Sequence, residues 1–131
     1  MIAAMNLRRP ASAAALAAVL TGAGILHFAV PARYDAIVPE QLTGAARTWT
    51  QLSGAAELVI AALVAVPRTR RLGGLLAAVL FVCVFPANVK MAIDWSSKPV
   101  WMRALAYGRL PLQVPLVLWA VRVYRGTIRR R

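Results

Sequence analysis

The chain has 131 residues, 60% of them hydrophobic, with 16 Lys and Arg against 4 Asp and Glu and a formal net charge of +12. That apolar content is too high for a soluble domain of this size. The basic residues gather at the ends of apolar runs rather than along one face, which argues against nucleic-acid binding, and the single cysteine, Cys83, excludes both a disulfide framework and a Cys-x-x-Cys thiol pair.

The first apolar run, about 11–30, carries no charge. Twenty helical residues span about 30 Å, the hydrocarbon thickness of a bilayer. Arg8 and Arg9 ahead of an Ala-rich run also give the outline of a secretory signal. The run is too long for one, lacks a small-x-small cleavage site, and its removal would leave an odd number of spans. Ala14, Ala18 and Gly22 on this span, and Gly73 and Ala77 on the third, predict smooth ridges for close helix approach. In the connection that follows, Tyr34, Ile37 and Val38 have the spacing of a short apolar helical face, expected at the membrane interface.

The second span, about 49–66, holds one acid, Glu57, and opens on the interfacial Trp49. The third, about 72–90, contains Cys83 as a packing residue and Pro86 as a kink site near its end. Trp95 and Trp101 fall in the next loop, and Trp119 and Tyr124 mark the opposite interface. The last apolar run, Leu110 to Val121, is too short for the bilayer core, since the steps from Arg109 to Arg122 cover only about 20 Å. Its helix must therefore start before Arg109, giving a span of about 104–123 with bends at Pro111 or Pro115. Backbone amides in lipid must bond within their own segment, so all four runs are helices. The expected fold is all-α, a transmembrane four-helix bundle forming one domain over 1–131.

Arg8, Arg9, Arg68, Arg70, Arg71, Arg122, Arg125, Arg129, Arg130 and Arg131 fall on one side of four crossings. The other side mixes Arg33, Arg47, Lys90, Lys98, Arg103 and Arg109 with Asp35, Glu40 and Asp94. This bias predicts cytoplasmic N and C termini and a multi-pass protein of the cell membrane. The basic tail is expected against anionic lipid headgroups, at about 1 kcal/mol per basic residue.

Every span brings a polar group to the extracytoplasmic half: His27, Glu57, Asn88 with Lys90, and Arg109 with Gln113 one turn deeper. Glu57 lies eight residues past Trp49, about 12 Å deep, where a carboxylate needs a partner. Arg109 is the first candidate, with His27 and Lys90 behind it, and Ser53 and Gly54 leave room for the approach. Such a cluster reads either as a ligand or proton site or as an ion pair that fixes helix register. One His and one Glu are too few to hold a metal.

Five pieces in order, Gly24-Ile25-Leu26-His27-Phe28, Pro31 to Tyr34 with Ile37-Val38-Pro39, Ser53 to Glu57, Phe85-Pro86-Ala87-Asn88 through Ala92, and Arg109-Leu110-Pro111-Leu112-Gln113, resemble the DoxX-like family of small membrane proteins over nearly the whole chain. The resemblance implies a four-helix bundle with a redox association. Some members are named for a thiosulfate:quinone oxidoreductase subunit, others are similar to components linked to oxidative-stress enzymes, and a distant animal branch resembles a receptor-assembly chaperone. It places His27, Glu57, Asn88, Arg109 and Gln113 around a pocket and supplies no catalytic mechanism. Two functions follow as expectations. One is a bacterial inner-membrane module that binds a quinone or lipid, with no built-in cofactor or self-contained catalytic constellation, as a subunit of an oxidoreductase system. The other is an assembly or scaffold protein whose polar cluster is structural and whose surface meets a partner membrane protein or a second copy. Transport is weaker, because the inner halves of spans two and three carry no carboxylate or His.

Overall fold

The computed structural model describes residues 2–128, with side chains for 11–126. Arg129, Arg130 and Arg131, and the side chains of Arg8 and Arg9, lie outside the described residues. Among the described residues the regular structure is entirely helical: α1 Ile2–Ala29, α2 Pro31–Asp35, α3 Ala46–Ala65, α4 Arg70–Cys83, α5 Phe85–Asp94 and α6 Val100–Ile128. Four segments are long and apolar enough to cross a membrane: Ala11–Ala29, Ala46–Ala65, Arg70–Asp94 and Val100–Gly126. The fold is an all-α bundle of four spanning helices.

α1 packs on α3, α3 on α4, and α4 on α6, while α5 packs on α6. α1 and α6 close the bundle more lightly, with Trp119 Nε1 donating to Ser12 Oγ at 2.9 Å. The main core lies towards the end that carries the α3–α4 link and both termini, where Leu16, Leu20, Val64, Ala77 and Ala120 are buried together. A smaller core at the opposite end, here the loop end, joins Met91, Ala92 and Ala106 to Ile37, Trp95 and Leu110.

Glycine sets the closest crossings. A β-carbon at Gly73 would come within 2.6 Å of the Val64 amide nitrogen and 2.8 Å of the Leu63 carbonyl carbon, so α4 lies backbone to backbone on the end of α3. The ridge Ala14, Ala18 and Gly22 does not do the same: all three are exposed, with open space around Gly22. α1 instead buries Ala13, Leu16, Ala17, Leu20, Gly24 and His27. Both stripes recur at helical spacing, and in lipid an apolar outer face costs nothing, so composition does not distinguish them.

The third span is two helices, broken at Val84 and running four residues beyond 90 to Asp94. Pro86 explains the break, since its ring clashes with the carbonyl four residues back and it fits the first turn of a new helix. The same geometry leaves Cys83 exposed at the end of α4 rather than packed inside. α6 starts at Val100 and runs through Arg109 as a continuous helix, carrying both Pro111 and Pro115 on exposed positions. α2 stops at Asp35, so the expected face through Ile37 and Val38 is only partly helical, although Ile37 does pack on Met91 and Ala92.

Two polar ties fix the connections. At the α3–α4 link, Arg70 donates to Val64 O at 2.9 Å and Ala65 O at 3.0 Å, and Thr69 Oγ1 donates to Leu63 O at 2.8 Å, satisfying carbonyls that end α3. At the loop end, Asp35 accepts Thr50 Oγ1 at 2.6 Å and Arg47 Nε at 2.8 Å, clamping α2 to the first turns of α3. The bond from Thr50, then the Arg47 guanidinium, hold the Asp35 carboxyl below its ordinary value of 3.8. A depressed folded-state value contributes stability that is present above the unfolded pKa and lost as pH falls through the folded one. The melting temperature should therefore drop as the pH falls below about 4, and Asp35→Asn should flatten that part of the profile. An unchanged acid limb in Asp35→Asn would remove the clamp from the account.

Candidate functional site

The loop-end half of the bundle gathers the polar side chains in two groups. The first forms where α1 crosses α3. Gly54 makes the crossing close, because a β-carbon there would lie 2.7 Å from His27 Cβ and 3.3 Å from Gly24 O. His27 Nδ1 consequently sits 2.7 Å from Ala23 O and 3.1 Å from Glu57 Oε2. The Ala23 carbonyl can only accept, so Nδ1 carries a proton directed at it. Glu57 Oε2 lies beside that bond, buried, with His27 Nδ1 as its ion-pair neighbour and no aligned hydrogen bond among the described residues.

Tyr34 covers this pair. Pro31 ends α1 and starts α2, and the turn brings the phenol over the imidazole with ring centroids 3.8 Å apart and planes inclined by 23°. Burial, and then the Glu57 carboxylate, push the Tyr34 hydroxyl above its ordinary value of 10.0. It is a neutral phenol at physiological pH. The sequence places Tyr34 on an interfacial helical face and in the resemblance, not against His27; the signal for that contact is its position seven residues after His27, just past Pro31.

The second group belongs to α5 and α6. Asn88 Nδ2 donates to Gln113 Oε1 at 3.2 Å, and both side chains are buried. Gln113 Nε2 is left buried with no partner among the described residues. Arg109, half-buried one turn away, directs Nη1 to Met91 Sδ at 3.3 Å.

Glu57 therefore meets His27 rather than Arg109, the first-ranked partner. The helix crossing at Gly24 and Gly54 decides this, since it puts His27 against α3 while Arg109 packs back onto α5. Lys90 does not approach Glu57 either: it pairs with Asp94 one turn along α5 at 2.7 Å. The structure thus joins His27 to Glu57 and Asn88 to Gln113, with Arg109 beside the second pair. Among the described residues no three His, Cys, Asp or Glu side chains come together as metal ligands.

Four spanning helices with an apolar exterior and a polar cluster in one half define a multi-pass membrane protein, in contact with the lipid bilayer. The family described as Domain of unknown function (DUF8561) matches residues 16–124, and the chain belongs to it. No curated protein and no solved structure matches the chain.

Proposed function

We propose that the protein is a DoxX-like membrane module that holds one small amphipathic molecule, a quinone or a lipid, in the loop-end polar cluster, and serves a redox system as a membrane subunit. One observation carries this reading. Glu57 and Gln113, 8% and 7% exposed, each leave a buried polar atom unpartnered. An unmet buried donor or acceptor costs about 1–3 kcal/mol, and with Arg103 Nε, also buried without a hydrogen bond, three lie in the loop-end half of a small bundle and call for a guest. A molecule offering a hydroxyl to Glu57 Oε2 and a carbonyl to Gln113 Nε2 would meet both, and the Tyr34–His27 stack supplies a flat aromatic wall. The protein contributes binding and orientation. In this reading electron transfer belongs to a partner.

A structural role for the cluster, within an assembly or scaffold protein, has its own observation: His27 with Glu57 and Asn88 with Gln113 already answer much of each other's polarity. Mass spectrometry of small molecules that co-purify with the protein in mild detergent separates the readings. A stoichiometric amphipathic species supports the binding module, and a protein free of one supports the scaffold.

The proposed orientation has cytoplasmic termini in a bacterial inner membrane. Exposed Arg68, Arg122 and Arg125 beside the termini support it, as a face for anionic lipid headgroups. In a Cys83→Ser background, Arg68→Cys should react only with membrane-permeant maleimides and Gln41→Cys also with impermeant ones. The reverse pattern would invert the protein in the membrane.

A further inference from the structure

A groove of about 610 Å³ runs between the loop at 39–41 and one face of α5, and shares no residue with the polar cluster. The volume falls within the range of about 300–1,000 Å³ found for small-molecule sites. Its α5 wall is graded along the helix. In order along α5 it is lined by Phe85, Val89, Lys90, Ile93 and Asp94, and the loop contributes Glu40. Phe85 and Ile93 are exposed at 40% and 67% and Cys83–Val84 breaks the helix just below, so the floor of the groove opens sideways to lipid. The Lys90 backbone lies about 6 Å before that of Asp94 along α5 at helical rise, while the Lys90 ammonium reaches along the helix to the Asp94 carboxylate at 2.7 Å.

That order matches a phospholipid with an amine at its tip: acyl chain deepest, then phosphate, then ammonium. We propose that this groove binds one phosphatidylethanolamine, with an acyl chain along Phe85, Val89 and Ile93, the phosphate on Lys90 and the ammonium between Asp94 and Glu40. With the groove empty, Lys90 and Asp94 satisfy each other at 2.7 Å, and Glu40 has no ion pair among the described residues. The headgroup exchanges that one pair for a phosphate contact and two carboxylate contacts. Phosphatidylglycerol offers no cation to the two carboxylates. Phosphatidylcholine has a cation without an N–H to donate.

Native mass spectrometry of the full chain, released from nanodiscs containing equal parts of phosphatidylethanolamine, phosphatidylcholine and phosphatidylglycerol with identical acyl chains, tests this. Phosphatidylethanolamine should be retained over each of the others by about fivefold, the scale of one favourable charged contact near a surface. The double change Lys90→Asp with Asp94→Lys keeps an ion pair at the same helical spacing but inverts its depth, and should abolish the preference. Glu40→Gln, on an exposed loop position where folding is not at stake, should weaken it by about twofold. Equal retention of the three lipids, preference for either of the others, a preference that survives the inverted pair, or one left undiminished by Glu40→Gln would each overturn the proposal.

Discussion

Gly73→Ala should lower the thermal stability of the protein in detergent by about 1–3 kcal/mol, the usual cost of overpacking a close contact. The new methyl would stand 2.6 Å from the Val64 nitrogen and 2.8 Å from both the Leu63 carbonyl carbon and Val64 Cγ2. Two of these three are backbone atoms, so no rotamer change relieves the clash and the α3–α4 hairpin has to open. Gly22→Ala is the matched control, because nothing lies within 4 Å of its added methyl. It should be neutral or stabilising by up to about 1 kcal/mol, from the better helix propensity of alanine. Equal destabilisation by the two changes, measured as melting temperatures in the same detergent, would show that the Ala14, Ala18 and Gly22 ridge is packed in the assembled protein, against the outward placement described above.

The same pair of glycines shows which parts of the structure were legible in the sequence. Span number and helical character follow from run length and from the demand that backbone amides bond internally, and neither needs a partner helix to be known. The break near Pro86 was readable for a similar local reason. Facing was not. In a soluble helix the polar side marks the outside, whereas here Val59 and Val64 on α3 are equally apolar, one 60% exposed and the other fully buried. Periodicity therefore could not separate Ala14, Ala18 and Gly22 from Ala13, Leu16 and Leu20. The polar cluster was legible as a set, because His27, Glu57, Asn88 and Gln113 are costly in lipid and must turn inward. Its pairing was not, since by charge Arg109 is the better partner for Glu57, ahead of His27. The choice falls to the crossing of α1 and α3, and that rests on Gly24 meeting Gly54, two residues without any charge at all.

Glu57→Gln should strip the protein of its co-purifying amphipathic molecule while leaving its thermal stability within about 1 kcal/mol of the parent. The amide has nearly the shape of the carboxyl group, so the α1–α3 crossing is preserved. What changes is Oε2, which lies 3.1 Å from His27 Nδ1 without an aligned hydrogen bond and accepts from the guest; its replacement by an NH2 group presents a donor to a donor. Gln113→Glu makes the converse exchange at the other unpartnered atom, setting a carboxylate oxygen against the guest carbonyl, and should lose the molecule as well. Glu57→Ala, by contrast, removes a buried side chain and half of an ion pair, and should cost about 2–5 kcal/mol with or without a ligand. Liquid chromatography with mass spectrometry on the purified variants, alongside their melting curves, reads both quantities. A Glu57→Gln protein that melts several degrees lower and still carries the molecule would make the cluster a structural pair. The bundle would then use Glu57 to hold α1 on α3, and its partners would have to be sought on the lipid-facing surface.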